Sequence, residues 1–414
     1  MSAHQQLQRR LGTFDATAIG LGSMLGAGVF VVFAPAAALA GQLLALSVVV
    51  AGAVAYCNAV ASAALAAKYP TSGGTYVYGR EQLGEWPGFL AGWGFVTGKT
   101  ASCAAMALTF GSYAWPGYAV PAAVAAVVVL TGVNLLGITR TALLTRILLG
   151  IVLATLAFVA LAAAVGPHPV SGPGGPAGGS SPGGVLPAAG LMFFAFAGYA
   201  RIATLGEEVK DPARAIPRAI LAAMAAAFAI YLTMSLLLLN HLPGGQLAAT
   251  RTPLLDAVLE SRFQGGAVLV QVGAAAACLG ALLALITGVG RTTLAMARER
   301  DLPAPLAKVG GKHTVPYAAE LAVAAVVILL LLTTDVMTVV GFSSFGVLTY
   351  YAVANASAYT LAAHPGYAPK WLNAVGFAAC LLLAFTLPPA SVLTMVAVLA
   401  AGVAGRWLVL RLRH

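Results

Sequence analysis

Long apolar stretches, separated by short polar ones, run along the whole 414-residue chain. A helix needs about 20 apolar residues to cross the hydrocarbon of a bilayer. Read at that length, the pattern predicts twelve helices. Their approximate limits are 14–40, 42–67, 85–113, 118–137, 143–165, 187–206, 218–240, 265–294, 317–333, 338–361, 371–387 and 391–409. The first thirteen residues are polar, and the apolar run after them is too long for the core of a cleavable signal, so none is expected. Segment 166–184 is rich in Gly, Pro and Ser and predicts a flexible loop. Segment 69–78 (YPTSGGTYVY) is too polar to span and belongs to the connection between the second and third helices.

Composition agrees with the pattern. Hydrophobic residues make up 60% and charged residues 8%, with a mean hydropathy of +0.91. Soluble domains run near 45–50% apolar and about 25% charged, so a soluble enzyme and a disordered chain are both excluded. The net charge of +10 would fit a nucleic-acid binder, but the basic residues lie in the connections. With a cytoplasmic N-terminus, seventeen of the 22 Lys and Arg fall on that face, Arg251 and Arg262 on the other, and Lys99, Arg201 and Arg291 within spans. That bias is the positive-inside signature. A multi-pass protein of the cell inner (plasma) membrane is expected, seated in the lipid bilayer, with both termini cytoplasmic and no nucleic-acid partner. The four cysteines (Cys57, Cys103, Cys278 and Cys380) lie in apolar runs and the six histidines are scattered. No metal site, cofactor or catalytic triad is therefore expected.

Two of the spans carry breaks. The first contains Gly22-Ser23-Met24-Leu25-Gly26-Ala27-Gly28, and each Gly weakens a helix by about 1 kcal/mol relative to Ala. One reading is close helix packing through small residues. The other is local unwinding, tolerated in a membrane only where the backbone lines a cavity or faces protein. Unwound backbone offers N–H groups at the start of one half-helix to a carboxylate, and carbonyls at the end of the other to an ammonium. The sixth span repeats the feature in Phe193-Phe194-Ala195-Phe196-Ala197-Gly198-Tyr199. Two such breaks five helices apart match inverted repeats meeting at mid-membrane. An α-amino acid has the one carboxylate and one ammonium such a receptor would hold.

The run 191–220, LMFFAFAGYARIATLGEEVKDPARAIPRAI, resembles the sixth-helix signature of the amino acid–polyamine–organocation superfamily, close to its cationic amino acid transporter branch and bacterial relatives. IGLGSMLGAGVF in the first span is similar to the same superfamily's glycine-rich motif. Pro70…Gly73-Gly74-Thr75-Tyr76, Gly92-Trp93, Asn134…Gly137 and Arg291…Met296-Ala297-Arg298…Leu302-Pro303 follow in family order. The resemblance implies an all-α integral membrane protein of LeuT type, with inverted five-helix repeats over 14–165 and 187–361 and two further helices over 371–409. It implies secondary transport of an amino acid or related amine. By motif position, the backbone of Ala27 and Gly28, with Ser23 and Gly26 nearby, would take the substrate carboxylate. The carbonyls of Met24, Phe194, Ala195 and Ala197 would take the ammonium, with Gly198 beside them and Phe194 as an outer gate.

Departures from the family pattern bear on substrate and coupling. Ala200 stands where many relatives have an acidic residue, and 94–99 (GFVTGK) lacks the third-span Glu of the cationic branch. A buried cationic side chain without a counter-charge is costly, so Lys and Arg are poor candidate substrates. Ala195, Ala197 and Gly198 leave room for an aliphatic or larger neutral side chain. The eighth-span stretch 274–283 offers no Ser or Thr for sodium, and a hard cation needs oxygen ligands. The fifth-span stretch 148–153 holds no Lys to replace it. Lys99 is either a tethered cation, supporting proton coupling or meeting an anionic group, or a lysine satisfied by helix carbonyls. Arg201, Glu207 and Glu208 are candidates for an inner gate or for ordinary helix-end anchoring. Asp15 reads as a helix-start charge, and Pro217 as a first-turn residue of the seventh helix. The expected function is sodium-independent transport of neutral L-amino acids, by proton symport or exchange. The alternatives are acidic amino acids, polyamines or export on the same fold, or amino-acid binding without transport. Oligomeric state is not readable.

Overall fold

The computed structural model describes residues 11–69, 73–136, 141–165, 182–203, 205, 209–242, 244–310 and 315–411, and among these it is helical with no sheet. Helix lies under each of the twelve expected segments. The first is broken into α1 (Thr13–Met24), α2 (Ala27–Val31) and α3 (Phe33–Ala40), followed by α4 (Leu44–Lys68) and a short polar helix, α5 (Gly74–Leu83). Then come α6 (Glu85–Ala114), α7 (Ala119–Leu135) and α8 (Thr141–Val165). The sixth segment is α9 (Val185–Phe196) and α10 (Ala200–Ala203), joined by a tight turn over Ala197–Tyr199. After α11 (Pro212–His241) the connection folds into α12 (Gly244–Ala249) and α13 (Pro253–Leu259). The chain closes with α14 (Ala267–Arg298), α15 (Tyr317–Thr333), α16 (Val336–Tyr359), α17 (Lys370–Thr386) and α18 (Pro389–Arg411).

Among the described residues nine helical stretches are long and apolar enough to cross a membrane, and α15 and α17 are shorter apolar helices. Exposed Leu, Val, Phe and Trp side chains stud the outer faces of α7, α15, α17 and α18. In water such faces would be liabilities; in lipid they are the solvated surface.

Helix contacts use small residues. Gly94 and Gly98 of α6 lie against α16, where added Cβ atoms would stand 3.1 Å from the Gly346 carbonyl and 3.2 Å from the Ser343 carbonyl. Beside them the Ser102 and Ser343 hydroxyls are 2.6 Å apart. Such close approach gives dispersion and interhelical hydrogen bonds, the forces left when both sides are apolar.

One expectation is corrected. The seventh helix begins at Pro212, so Pro217 lies inside α11 and not in its first turn. Asp211 takes a left-handed conformation (φ 46°) and Pro212 fills the first helical position, where a missing N–H costs nothing. Asp15 does sit at a helix start: it accepts from the Gly12 N–H and pairs with Arg146 of α8.

Helix ends expected on one face of the membrane meet in an ionic cluster. Asp301, just past α14, accepts from Arg80 of α5 (3.1 Å), Arg406 of α18 (2.8 Å) and the Tyr76 hydroxyl (2.8 Å). Arg406 also binds Glu85 at the start of α6 (3.0 Å) and stacks over the rings of Trp86 and Phe89. Burial, and after it the Asp301 carboxylate, raises the Tyr76 phenol above its ordinary range, which keeps it a donor.

Candidate functional site at two opposed helix breaks

The last intrahelical bond of α1 runs from the Leu25 N–H to the Leu21 carbonyl (2.8 Å), and Gly26 (ψ −142°) turns the chain before α2 restarts. Gly22, Ser23 and Met24 are therefore helical, and the unwinding is confined to Leu25 and Gly26. The glycine motif also packs: an added Cβ on Gly26 would stand 2.4 Å from the Ala281 Cβ of α14. Both readings of the motif hold at one residue. Helix geometry leaves the N–H groups of Ala27 and Gly28 without partners inside α2.

The second break comes at Ala197–Tyr199, and it faces the first. A Cβ on Gly198 would lie 2.5 Å from the backbone of Ser23 and Met24, and one on Gly28 would lie 2.7 Å from the Ala195 Cα. Glycine at these two positions is what allows the broken backbones to touch. A single hydroxyl joins them: Tyr231 of α11 lies 2.6 Å from the Met24 carbonyl and 3.1 Å from the Ala195 carbonyl. Nothing in the sequence reading singled out Tyr231. The signal was there, since a polar atom on a buried membrane helix must find a partner.

The Ala197 carbonyl is held from the other side. Lys99 of α6, 5% exposed, donates to it at 3.3 Å, and the Tyr351 hydroxyl of α16 lies at 3.4 Å. An ammonium at the carbonyl end of α9 also sits favourably in the helix dipole. Lys99 is thus bound to a helix carbonyl, and that carbonyl belongs to the break.

Below the breaks, toward α10 and the C-terminal half of α14, lies a small cavity. Lys99, Arg201 and Arg291 line it, together with Ser23, Ala197 and Gly198. These are the three basic residues that fall within expected spans, gathered on one space. Among the described residues that line it, none is acidic. Phe194 is buried and does not line this cavity. Glu207 and Glu208 lie outside the described residues.

A second small cavity separates α1 from α8 and α14. Its walls include Leu148, Leu149 and Val152 on one side and Ala277, Gly280 and Ala281 on the other. The stretches without hydroxyls thus meet opposite the first break. Ser23 brings the one side-chain oxygen among the lining residues, and it donates to the Ile19 carbonyl (2.8 Å). Among the described residues no group of three His, Cys, Asp or Glu stands ready for a metal.

Comparison with known proteins matches the Amino acid permease family over residues 11–404. The Uncharacterized transporter Rv1999c of Mycobacterium tuberculosis is 54% identical over 404 residues, covering 96% of this chain and 91% of that one. The Branched-chain amino acid permease BcaP of Bacillus subtilis is 31% identical over 350 residues, 77% of this chain and 73% of that one. The Cationic amino acid transporter 7, chloroplastic, of Arabidopsis thaliana is 27% identical over 400 residues, 89% of this chain and 68% of that one. The chain belongs to the amino acid permease family: it is a multi-pass membrane transporter of amino acids and not an enzyme.

Proposed function

We propose that this amino acid permease carries neutral, aliphatic L-amino acids without sodium, by proton symport or exchange, through alternating access around its two helix breaks. The observation that carries the reading is the apposition of the breaks, Gly198 against Ser23–Met24 and Gly28 against Ala195. There the substrate carboxylate would meet the N–H groups of Ala27 and Gly28. Its ammonium would meet the carbonyls of Met24, Phe194 and Ala195. Lys99 already occupies the Ala197 carbonyl, so that acceptor serves the protein's own cation. The fold that suits this is two inverted five-helix repeats, 14–165 and 187–361, with helices 371–409 added, twelve spans in all and both termini cytoplasmic in the plasma membrane. Alternating access would rock the bundle around the site between the first and sixth helices.

Two features support the substrate class. Among its described lining residues the cavity below the breaks has no carboxylate to receive a cationic side chain, and BcaP, the relative named for branched-chain amino acids, is similar over most of both chains. The apolar walls of the second cavity support sodium independence, because aliphatic side chains cannot replace a hard cation's water.

A thermal-shift panel of the twenty amino acids and common polyamines in detergent tests the reading, followed by counterflow in proteoliposomes with and without sodium. Leucine, isoleucine and valine are expected to stabilise the protein and to exchange equally well in choline. Binding confined to arginine and lysine, or exchange that stops without sodium, would overturn it. A second reading, transport of acidic amino acids, is favoured by the convergence of Lys99, Arg201 and Arg291 on the cavity. Glutamate displacing leucine in the same assay would select it.

A further inference from the structure

On the face expected to lie outside, α2, α3, α6, α7, the connection after α12 and the start of α16 enclose a cavity of about 380 Å³. Small-molecule sites run from roughly 300 to 1,000 Å³. α2 connects this cavity with the first break: it starts beside the break at Ala27 and reaches the cavity at Val31. Four residues of helix rise about 6 Å. Close by, α2 is tied to α6, where Tyr113 donates to the Phe30 carbonyl (3.2 Å) and the two rings meet edge to face at 5.5 Å.

Arg251 is the cation on the cavity lining. It is exposed, and among the described residues it takes part in no ion pair or hydrogen bond. Membrane proteins shed Lys and Arg from their outer loops, and Arg251 and Arg262 are the two of 22 that this chain keeps there. Three hydroxyl residues, Thr109, Ser112 and Thr334, share the lining. Each spends its proton on a carbonyl of the turn before it, Ala105 (2.8 Å), Leu108 (2.9 Å) and Leu330 (2.6 Å). Their oxygens are left as acceptors. Leu108, Val120 and Val336 make an apolar wall. Among the described lining residues one is acidic: Asp335, which caps α16 and accepts from the Thr338 N–H (3.0 Å) and hydroxyl (2.7 Å).

A guanidinium grips a carboxylate through paired N–H donors. Hydroxyl oxygens whose protons are spent accept from an ammonium and have nothing to give a carboxylate. We propose that this cavity is a receiving site for neutral, aliphatic α-amino acids on the outer face, separate from the breaks. Arg251 takes the carboxylate, the hydroxyl oxygens take the ammonium, and the apolar wall takes the side chain. The substrate is then held once here and again at the breaks. An amine without a carboxylate lacks the Arg251 contact, so the cavity sorts amino acids from polyamines before either reaches the breaks.

This inference rests on the transport reading above, and the experiment keeps the two apart. Labelled L-leucine is bound to saturation on full-length protein in detergent. Wild type is expected to hold two leucines per chain, Arg251→Gln one, and Arg262→Gln, which removes the other outer arginine, two. One leucine per wild-type chain overturns the proposal, and so does an undiminished count in Arg251→Gln. Isocaproate, which is leucine without its amine, is expected to displace the leucine that Arg251→Gln loses, and isoamylamine, which has no carboxylate, to leave it in place. The reverse order of the two would overturn the assignment of Arg251 to the carboxylate. In intact cells Arg251→Gln is expected to raise the external leucine concentration for half-maximal uptake about tenfold, as the loss of a charged hydrogen bond implies. Arg251→Lys keeps the charge without the fork and is expected to raise it less. Equal rises in Arg251→Gln and Arg262→Gln would mean a general attraction of the outer face for anions and overturn the site. Wild-type cells that take up no leucine would overturn the transport reading instead.

Discussion

Tyr231 shows how much one atom holds in a membrane protein. Its hydroxyl serves the Met24 and Ala195 carbonyls, one from each break. Tyr231→Phe leaves both buried acceptors short of a donor, at a cost of about 1–3 kcal/mol. A lowered thermal midpoint and weaker leucine binding are expected, and an unchanged protein on both counts would deny the bridge its role. Lys99→Ala removes a charged donor from the Ala197 carbonyl, an interaction worth about 1.5–3 kcal/mol, so affinity for the substrate is expected to fall about tenfold or more. Loss of the pH profile of transport in Lys99→Ala would place the coupling proton on Lys99. At this scale the sequence was uneven. Lys99, Arg201 and Arg291 stood out because a charge within a span needs a reason. Glu320 carries the same signal, the one acid in 317–333, but an orientation count weighs only Lys and Arg and passes over it. Which carbonyl a side chain reaches is set by tertiary packing, and no local pattern encodes it.

The helices themselves were the most legible level. Twenty-residue apolar runs leave the backbone no alternative in lipid, so limits read from hydropathy fall within a few residues of those found for most helices. The exceptions are polar. The start of α11 depends on the strained Asp211 and on which of two prolines opens the helix, a choice hydropathy does not see. The breaks were legible as glycine clusters, but their extent was not: α1 stays helical through Met24 because its i→i−4 bonds reach Leu25. At this scale the sharpest test is Gly198→Ala. The added methyl group would meet backbone of Ser23 and Met24, which cannot rotate away as a side chain can. Overpacking of this kind costs about 1–3 kcal/mol. The two broken elements are expected to be pushed apart and leucine counterflow lost, with the protein still recovered from the membrane. Normal counterflow in Gly198→Ala would show that the breaks do not work in contact.

Over the whole molecule the ionic cluster is the feature that no sequence window contains. Arg80 and Asp301 are 221 positions apart, and Arg406 lies 105 beyond Asp301. Asp301 is 3% exposed in its side chain and Arg406 4%. Breaking a buried pair by removing one partner strands the other, typically at about 3–5 kcal/mol. Asp301→Asn is accordingly expected to lower the thermal midpoint of the detergent-solubilised protein well beyond Glu299→Gln, whose carboxylate is half exposed. Equal effects would mean the cluster is solvated decoration. The cluster also divides the architecture into what is bolted and what is not. α5, α6, the end of α14 and α18 share its ties, whereas the elements that meet at the breaks, α1, α9 and α11, contribute none. Spin labels on α5 and α18 should keep their separation when leucine is added, while labels on α1 and α14 should not. The fastened members are then the doorframe, and the leaf hangs from a post that carries no rivet.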